Sequence, residues 1–156
     1  MQWLPWIVTV DGSCINNGRP DAVAGYGVFW GPYDPRNEWG RVDGNQKSGR
    51  AELKAVLRAI QIGYHDKRDF DWILIRTDSQ YVINSLTKWI HKWRINGWRT
   101  SYGRQAANLD LIKAIDYWMR NKIEVRFRHV QGHNGDYCNE IADRMAKYAC
   151  SRGINR

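Results

Sequence analysis

The apolar residues of this chain change period once, at about residue 50, and that change decides most of its architecture. Upstream, Trp6-Ile-Val-Thr-Val-Asp-Gly-Ser13 is rich in β-branched residues and stops at Gly12, which reads as a strand. Gly25–Trp30 and Glu38–Val42 read as two more short strands, with a turn at Gly31–Pro35 between them. From about Arg50 onward, Leu53, Val56, Leu57, Ile60 and Tyr64 recur at helical spacing. The same helix carries a second stripe, Glu52, Ala55, Ala59 and Gly63, small except for the acid. A small stripe lets a helix lie close against a sheet.

Downstream, strand and helix patterns alternate. Trp72–Asp78 predicts a fourth strand and Gln80–Leu86 a short helix capped by Ser79 or Asp78. Lys88–Arg104 reads as irregular, basic and Trp-rich. Leu111, Ile112, Ile115, Trp118 and Met119 mark another helix. Glu124–Val130 predicts a fifth strand, Gln131–Asp136 a Gly-containing loop, and Tyr137–Cys150 a last helix, with a frayed tail at Ser151–Arg156. Strands joined by short links pair antiparallel, and strands separated by helices pair parallel. The expected fold is therefore α/β, one five-stranded mixed sheet with helices on both faces. With 156 residues the chain suits a single domain spanning 1–156.

Charge and aromatic content narrow the partners. Lys and Arg number 24 against 16 Asp and Glu, a formal charge of +8, and there are nine Trp. Cations meet phosphates and flat rings meet sugars or bases, so nucleic acid is favoured over an acidic protein or an anionic membrane. The apolar runs, such as Trp72–Ile75, are far too short to span a bilayer. No secretory leader pattern opens the chain. Cys14, Cys138 and Cys150 cannot all pair within it, so free thiols in an intracellular, reducing compartment (cytoplasm, nucleus or mitochondrion) are expected.

Asp11 closes the first expected strand and Asp78 the fourth. In a mixed α/β sheet, sites gather beyond the carboxyl ends of parallel strands, so parallel neighbours would bring the two together. Each has a plainer reading. Asp11-Gly12 is a common turn signal, and Asp78 precedes a helix it could cap. With Glu52 in the first turn of the intervening helix, the three form a repelling cluster that a divalent cation would compensate.

Six stretches in this order carry a resemblance: Thr9-Val-Asp-Gly-Ser13, Gly25-Tyr-Gly-Val28, Arg50-Ala-Glu-Leu53, Thr77-Asp-Ser79, Val130-Gln-Gly-His133-Asn-Gly135 and Asn139-Glu-Ile-Ala-Asp143. Together they resemble the ribonuclease H family, type 1, over nearly the whole chain. The resemblance implies a metal-dependent endonuclease that hydrolyses the RNA strand of RNA–DNA hybrids with little base preference. It implies two Mg²⁺ ions, with Mn²⁺ as a substitute, held by Asp11, Glu52, Asp78 and Asp143, and a loop histidine, His133, that assists proton transfer or product release. Asp11 would bridge both ions. Hard cations require such oxygen ligands.

The resemblance also assigns the substrate contacts. Residues 79–109 hold Lys88, Lys92, Arg94, Arg99 and Arg104 and no acid. This segment resembles the basic protrusion of cellular type 1 enzymes, which grips the DNA strand. Trp89 and Trp93 match residues that stack on deoxyribose, Tyr81 another aromatic of that channel, Ser101 a polar DNA contact, and Asn108 part of a phosphate pocket. The competing reading is core packing, with Val82, Leu86, Trp89 and Trp93 on one face of a continuing helix. Cys14 and Asn17 match readers of the RNA 2′-hydroxyls. The family's Arg-x-Thr-Asn-Gln run before Arg-Ala-Glu is replaced by Asn45-Gln-Lys-Ser-Gly49, where Lys47 and Ser48 are the candidate contacts. Arg50 is expected to be structural. The partner is an RNA–DNA hybrid, without membrane, and the chain acts as a monomer. Two rival readings are an idle hybrid-binding module and an integrase-like nuclease acting on DNA. The four carboxylates oppose the first, and the basic segment and the His133 loop oppose the second.

Overall fold

The structure, a computed structural model, describes residues 6–66, 72–99 and 106–154. Five strands form one sheet in the order β3-β2-β1-β4-β5. β1 (Ile7–Ile15), β2 (Val23–Phe29) and β3 (Glu38–Arg41) make the antiparallel meander. β4 (Trp72–Thr77) and β5 (Glu124–His129) add in parallel on the other side of β1. The helices are α1 (Ser48–His65), α2 (Gln80–Asn84), α3 (Ile90–Ile95), α4 (Leu109–Asn121) and α5 (Tyr137–Ile154).

α1 packs on one face of β1 and β2 with α4 beside it, and α5 covers the opposite face of β1, β2 and β3. The small stripe of α1 performs as its composition requires: Ala55, Ala59 and Gly63 are buried against the sheet. On the other face, a Cβ on Gly27 would stand 2.5 Å from the Ala142 carbonyl of α5. Between the sheet and α1 lie Val8, Val10, Val28, Leu53, Val56, Ile60, Ile73 and Ile75, all essentially inaccessible. Each such side chain contributes on the order of 2 kcal/mol relative to exposure.

Three expectations need correction. Asp11 does not close its strand and Asp11-Gly12 is not a turn. β1 runs on to Ile15, with Asp11 opposite Gly27 and Gly12 opposite Tyr26. Gly12 is required for another reason, since a Cβ there would lie 2.4 Å from the Glu52 backbone nitrogen. The second correction concerns Lys88–Arg104, read as irregular. The helix begun at Gln80 continues through a π turn, Ser85–Trp89, into α3 as far as Ile95. The wider turn offsets the drift of an ordinary helix, so steps of four stay on one face. Val82, Leu86 and Ile90 are buried on that face, while Trp89 is displaced outward. Third, α5 persists to Ile154 instead of ending at Cys150. Ala149 and Cys150 are buried, and the Cys150 thiol contacts the Ser13 carbonyl at 3.6 Å, which ties the last turns to β1.

Candidate active site

The sheet opens a crevice between two parallel neighbours. β1 and β4 pair from Ile7–Leu74 to Thr9–Arg76 and then part, β1 continuing beside β2 alone. Asp11 lies two residues past the last pair on β1, and Asp78 two residues past it on β4. The helices bring the other two acids. The first turn of α1 crosses Gly12 at close approach, which sets the Glu52 backbone against Gly12, and the Glu52 carboxylate feels the charge of Asp78. α5 crosses Gly27, the partner of Asp11, with Ala142 and Met145, and Asp143 stands between them. Asp11, Glu52, Asp78 and Asp143 thus reach one mouth from four separate elements.

Asp78 is not a helix cap. The Ser79 hydroxyl accepts from the Val82 N–H at 3.1 Å and caps α2 itself, which leaves the Asp78 carboxylate to the crevice. Asn139, on the first turn of α5, donates its amide to Asp78 Oδ2 at 3.3 Å.

The crowding is electrostatically costly. Asp11 is only 5% exposed. Burial first, then the charge of Asp78, pushes its pKa up to about 9, with Asp143 adding to the rise and the Gly12 N–H opposing it. Glu52 is pushed up to about 7, again by burial first and by the Asp78 charge, against a hydrogen bond with Ser79. Desolvation and like charge both favour the protonated forms. Asp143 takes the Lys147 ammonium at 2.9 Å one turn along α5. Among the described residues, no three carboxylate, histidine or cysteine side chains close on a point where they could hold a metal ion by themselves. Three of the acids have other partners. Asp78 is held by Asn139, Asp143 by Lys147 and Glu52 by Ser79. The donor set fits a hard divalent cation: four carboxylates, Asp11 buried and the others half-buried, whose mutual repulsion a multivalent cation would relieve.

A cleft of about 800 Å³ adjoins this mouth. It gathers most of the expected substrate contacts: Asn17, Lys47, Ser48, Tyr81 and Asn108 line it together with Glu52. Asn108 adopts a left-handed backbone at the start of α4 and donates its amide to the Tyr81 hydroxyl at 3.0 Å. From Tyr81 an aromatic row leaves the cleft. The Trp89 ring lies 6.4 Å from Tyr81, and Trp93 lies 5.9 Å from Trp89. Trp89 is 43% exposed, whereas Trp93 is half-buried against the core. Lys88 and Lys92 are exposed beside them, but Arg94 is turned inward to pair with Asp116 of α4.

Other expected residues are placed differently. Cys14 lies behind the cleft wall, its thiol 3.4 Å from the Gln46 carbonyl, and does not line the cleft. Ser101 and Arg104 lie outside the described residues. His133 is exposed, with a left-handed φ of 57°. Its neighbour Gly132 abuts Asp78, since a Cβ there would meet Oδ2 at 2.7 Å, so the loop borders the mouth. Arg50 is structural as expected. It is buried, grips Asp110 with both nitrogens at 2.9 and 2.7 Å, and donates to the Asp43 carbonyl at 2.7 Å.

Sequence reasoning missed several neighbours of the acids. Lys147 and Asn139 each stand four residues from Asp143, so helical spacing alone would have found them. Asn45 lines the cleft from the departing run. Arg76, which reaches Thr9 and Asp136, gives no local signal because its partners are more than fifty residues away.

The chain is similar to known proteins over most of its length. The family model described as RNase H matches residues 5–151. Ribonuclease H1 of Mus musculus is 38% identical over 141 residues, covering 90% of this chain and 48% of that protein. Ribonuclease H of Tropheryma whipplei is 35% identical over 151 residues, covering 96% of this chain and 87% of that protein. Among solved structures, LC9-RNase H1, a type 1 RNase H with the type 2 active-site motif, superposes with a TM-score of 0.70 at 27% identity, covering 94% of this chain and 72% of that one. The chain spans about half the length of the mammalian relatives it matches.

Proposed function

The chain belongs to the RNase H family, and from that premise we propose that it is an endonuclease hydrolysing the RNA strand of RNA–DNA hybrids with the help of divalent metal ions. The observation that carries this reading is the meeting of four acids from four elements beside a cleft lined with polar and aromatic side chains. A pure binder gains nothing from acids aimed at phosphates.

Asp11, Glu52, Asp78 and Asp143 would hold two Mg²⁺ ions, with Mn²⁺ as a substitute. Bound there, such ions lower the pKa of the attacking water and stabilise the departing 3′ oxygen. Asp11 interacts with both Asp78 and Asp143 and would be shared by the ions. A cation held there would favour the ionised forms of Asp11 and Glu52, so that both would serve as carboxylates at neutral pH. Asn139 orients Asp78 through its amide. His133 borders the mouth and moves a proton at the leaving 3′ oxygen or assists release. Lys47, Ser48 and Asn17 contact the RNA strand, where a 2′-hydroxyl separates RNA from DNA. Tyr81, Trp89 and Trp93 take the DNA strand, with Lys88 and Lys92 meeting its phosphates. The chain is proposed to act as a monomer.

Among the described residues no helix is long and apolar enough to cross a membrane. Cys14, Cys138 and Cys150 stand as separate thiols, which suits an intracellular setting. The test is incubation with labelled hybrid, duplex RNA and duplex DNA in Mg²⁺. Cleavage confined to the RNA of the hybrid is expected. Binding without cleavage, or cutting of duplex DNA, would contradict the proposal.

A further inference from the structure

Three of the four acids sit on elements that one guanidinium holds together. Arg76 lies on β4, two residues before Asp78, and its side chain points to the α5 face of the sheet. It donates to the Thr9 hydroxyl at 3.0 Å, and Thr9 lies on β1 two residues before Asp11. It also pairs with Asp136 through both terminal nitrogens. Asp136 in turn starts α5: its carboxylate accepts from the Asn139 N–H at 2.9 Å and its carbonyl from the Glu140 N–H at 3.0 Å. Asn139 donates back to Asp78, and Asp143 follows one turn further on. A closed ring results, running from Arg76 through Asp136 and Asn139 to Asp78 and back along β4.

We infer that Arg76 is a positioning residue, a strut that fixes the spacing of Asp11, Asp78 and Asp143 by gripping Thr9 and Asp136 at once. The inference rests on the proposed function. α5 packs chiefly on β1, β2 and β3, and the Arg76–Asp136 pair adds a polar tie from its N-terminal turn to β4. The pair is well shielded, with side-chain exposures of 18% for Arg76 and 27% for Asp136. A two-pronged guanidinium–carboxylate contact fixes direction as well as distance, which a lysine cannot do. Burial alone would raise the Asp136 pKa, but the Arg76 hydrogen bond and the Asn139 N–H hold it below the ordinary value, so the contact stays ionic at neutral pH. Neither residue touches the cleft or the mouth, and neither carries one of the acids.

The test compares wild type with Arg76→Met, Arg76→Lys, Asp136→Ser and the Arg76→Met/Asp136→Ser double variant. Serine keeps the helix cap while removing the charge. Two quantities are read: the midpoint of a calorimetric Mg²⁺ titration at fixed temperature, and kcat and KM on hybrid, both well below melting. Arg76→Met and Asp136→Ser should each raise the Mg²⁺ midpoint and lower kcat by roughly 10-fold, the lower end of the loss when a partner bonded directly to a metal ligand is removed, with KM little changed. The double variant should be no worse than the worse single one, because both changes break one contact. Arg76→Lys should recover part of the loss. If Arg76→Met fails to fold, Asp136→Ser and Arg76→Lys carry the same comparison. Variants that lose melting temperature but keep the wild-type Mg²⁺ midpoint and kcat would overturn the strut, as would effects that multiply in the double variant. Wild type that neither cleaves hybrid nor responds to Mg²⁺ would overturn the proposed function itself.

Discussion

At the scale of single residues, Asp11 carries the most. It sits in mid-strand, nearly inaccessible, between Asp78 and Asp143. Asp11→Asn should lower cleavage about a thousandfold or more, equivalent to about 4 kcal/mol, because a neutral amide cannot bridge two cations. Hybrid binding, measured in the same preparation, should survive. Cleavage within tenfold of wild type would remove Asp11 from the centre. The same residue sets a pH dependence. The pKa values of Asp11 and Glu52 are raised in the folded protein, so the fold binds their protons more tightly than the unfolded chain does. Their contribution is fully present below about pH 4 and is lost as pH rises through about 7 for Glu52 and about 9 for Asp11. Chemical denaturation in EDTA should therefore show this part of the stability declining from acid to mildly alkaline pH, and the decline should shrink in Asp11→Asn. All four acids were legible as residues from their motifs. Their geometry was not: Asp11-Gly12 has the local signature of a turn, and only the approach of α1 shows why that glycine sits inside a strand.

At the scale of elements, the π turn between α2 and α3 separates two roles that the sequence ran together. Val82, Leu86 and Ile90 are core, while Trp89 stands out from it beside Tyr81 and Trp93. A step-of-four pattern places Trp89 with Val82 and Leu86 or apart from them depending on the local turn width, which composition does not reveal. Trp89→Ala should weaken hybrid binding by about 1–3 kcal/mol if it stacks on nucleic acid, with little change in melting temperature. Trp93→Ala should weaken binding and also lower the melting temperature, because Trp93 packs partly against the core. A large loss of stability in Trp89→Ala without an affinity loss would favour plain packing. Gly12→Ala tests the approach of α1 to β1. Its Cβ would press on backbone at 2.4 Å, which should cost about 1–3 kcal/mol and displace Glu52, seen as lost stability together with lost cleavage.

At the scale of the whole molecule, the order of elements and the mixed sheet followed from periodicity, because strand and helix periods differ enough to read. The abundance of Trp was less specific than it looked. Trp30 is core, Trp6 packs on Trp72, Trp39 packs on Tyr148, Trp72 carries Arg126, and Trp118 packs on Tyr64, so most of the described tryptophans are away from the cleft. The basic charge is likewise partly internal, with Arg36, Arg50, Arg58, Arg76 and Arg94 committed to carboxylates. The fold thus assembles four acids that repel one another, and a divalent cation is the natural relief. Thermal unfolding of wild type, Asp11→Asn and Asp78→Asn in EDTA and in saturating Mg²⁺ tests that claim most directly. Each variant should be more stable than wild type in EDTA, by about 1 kcal/mol as an order of magnitude, since an amide neither repels the neighbouring acids nor has to take up a proton on folding. Mg²⁺ should then stabilise wild type more than either variant, because a ligand that binds only the native state adds stability that grows with its affinity. Variants less stable than wild type in EDTA, together with equal Mg²⁺ shifts in all three proteins, would contradict the account.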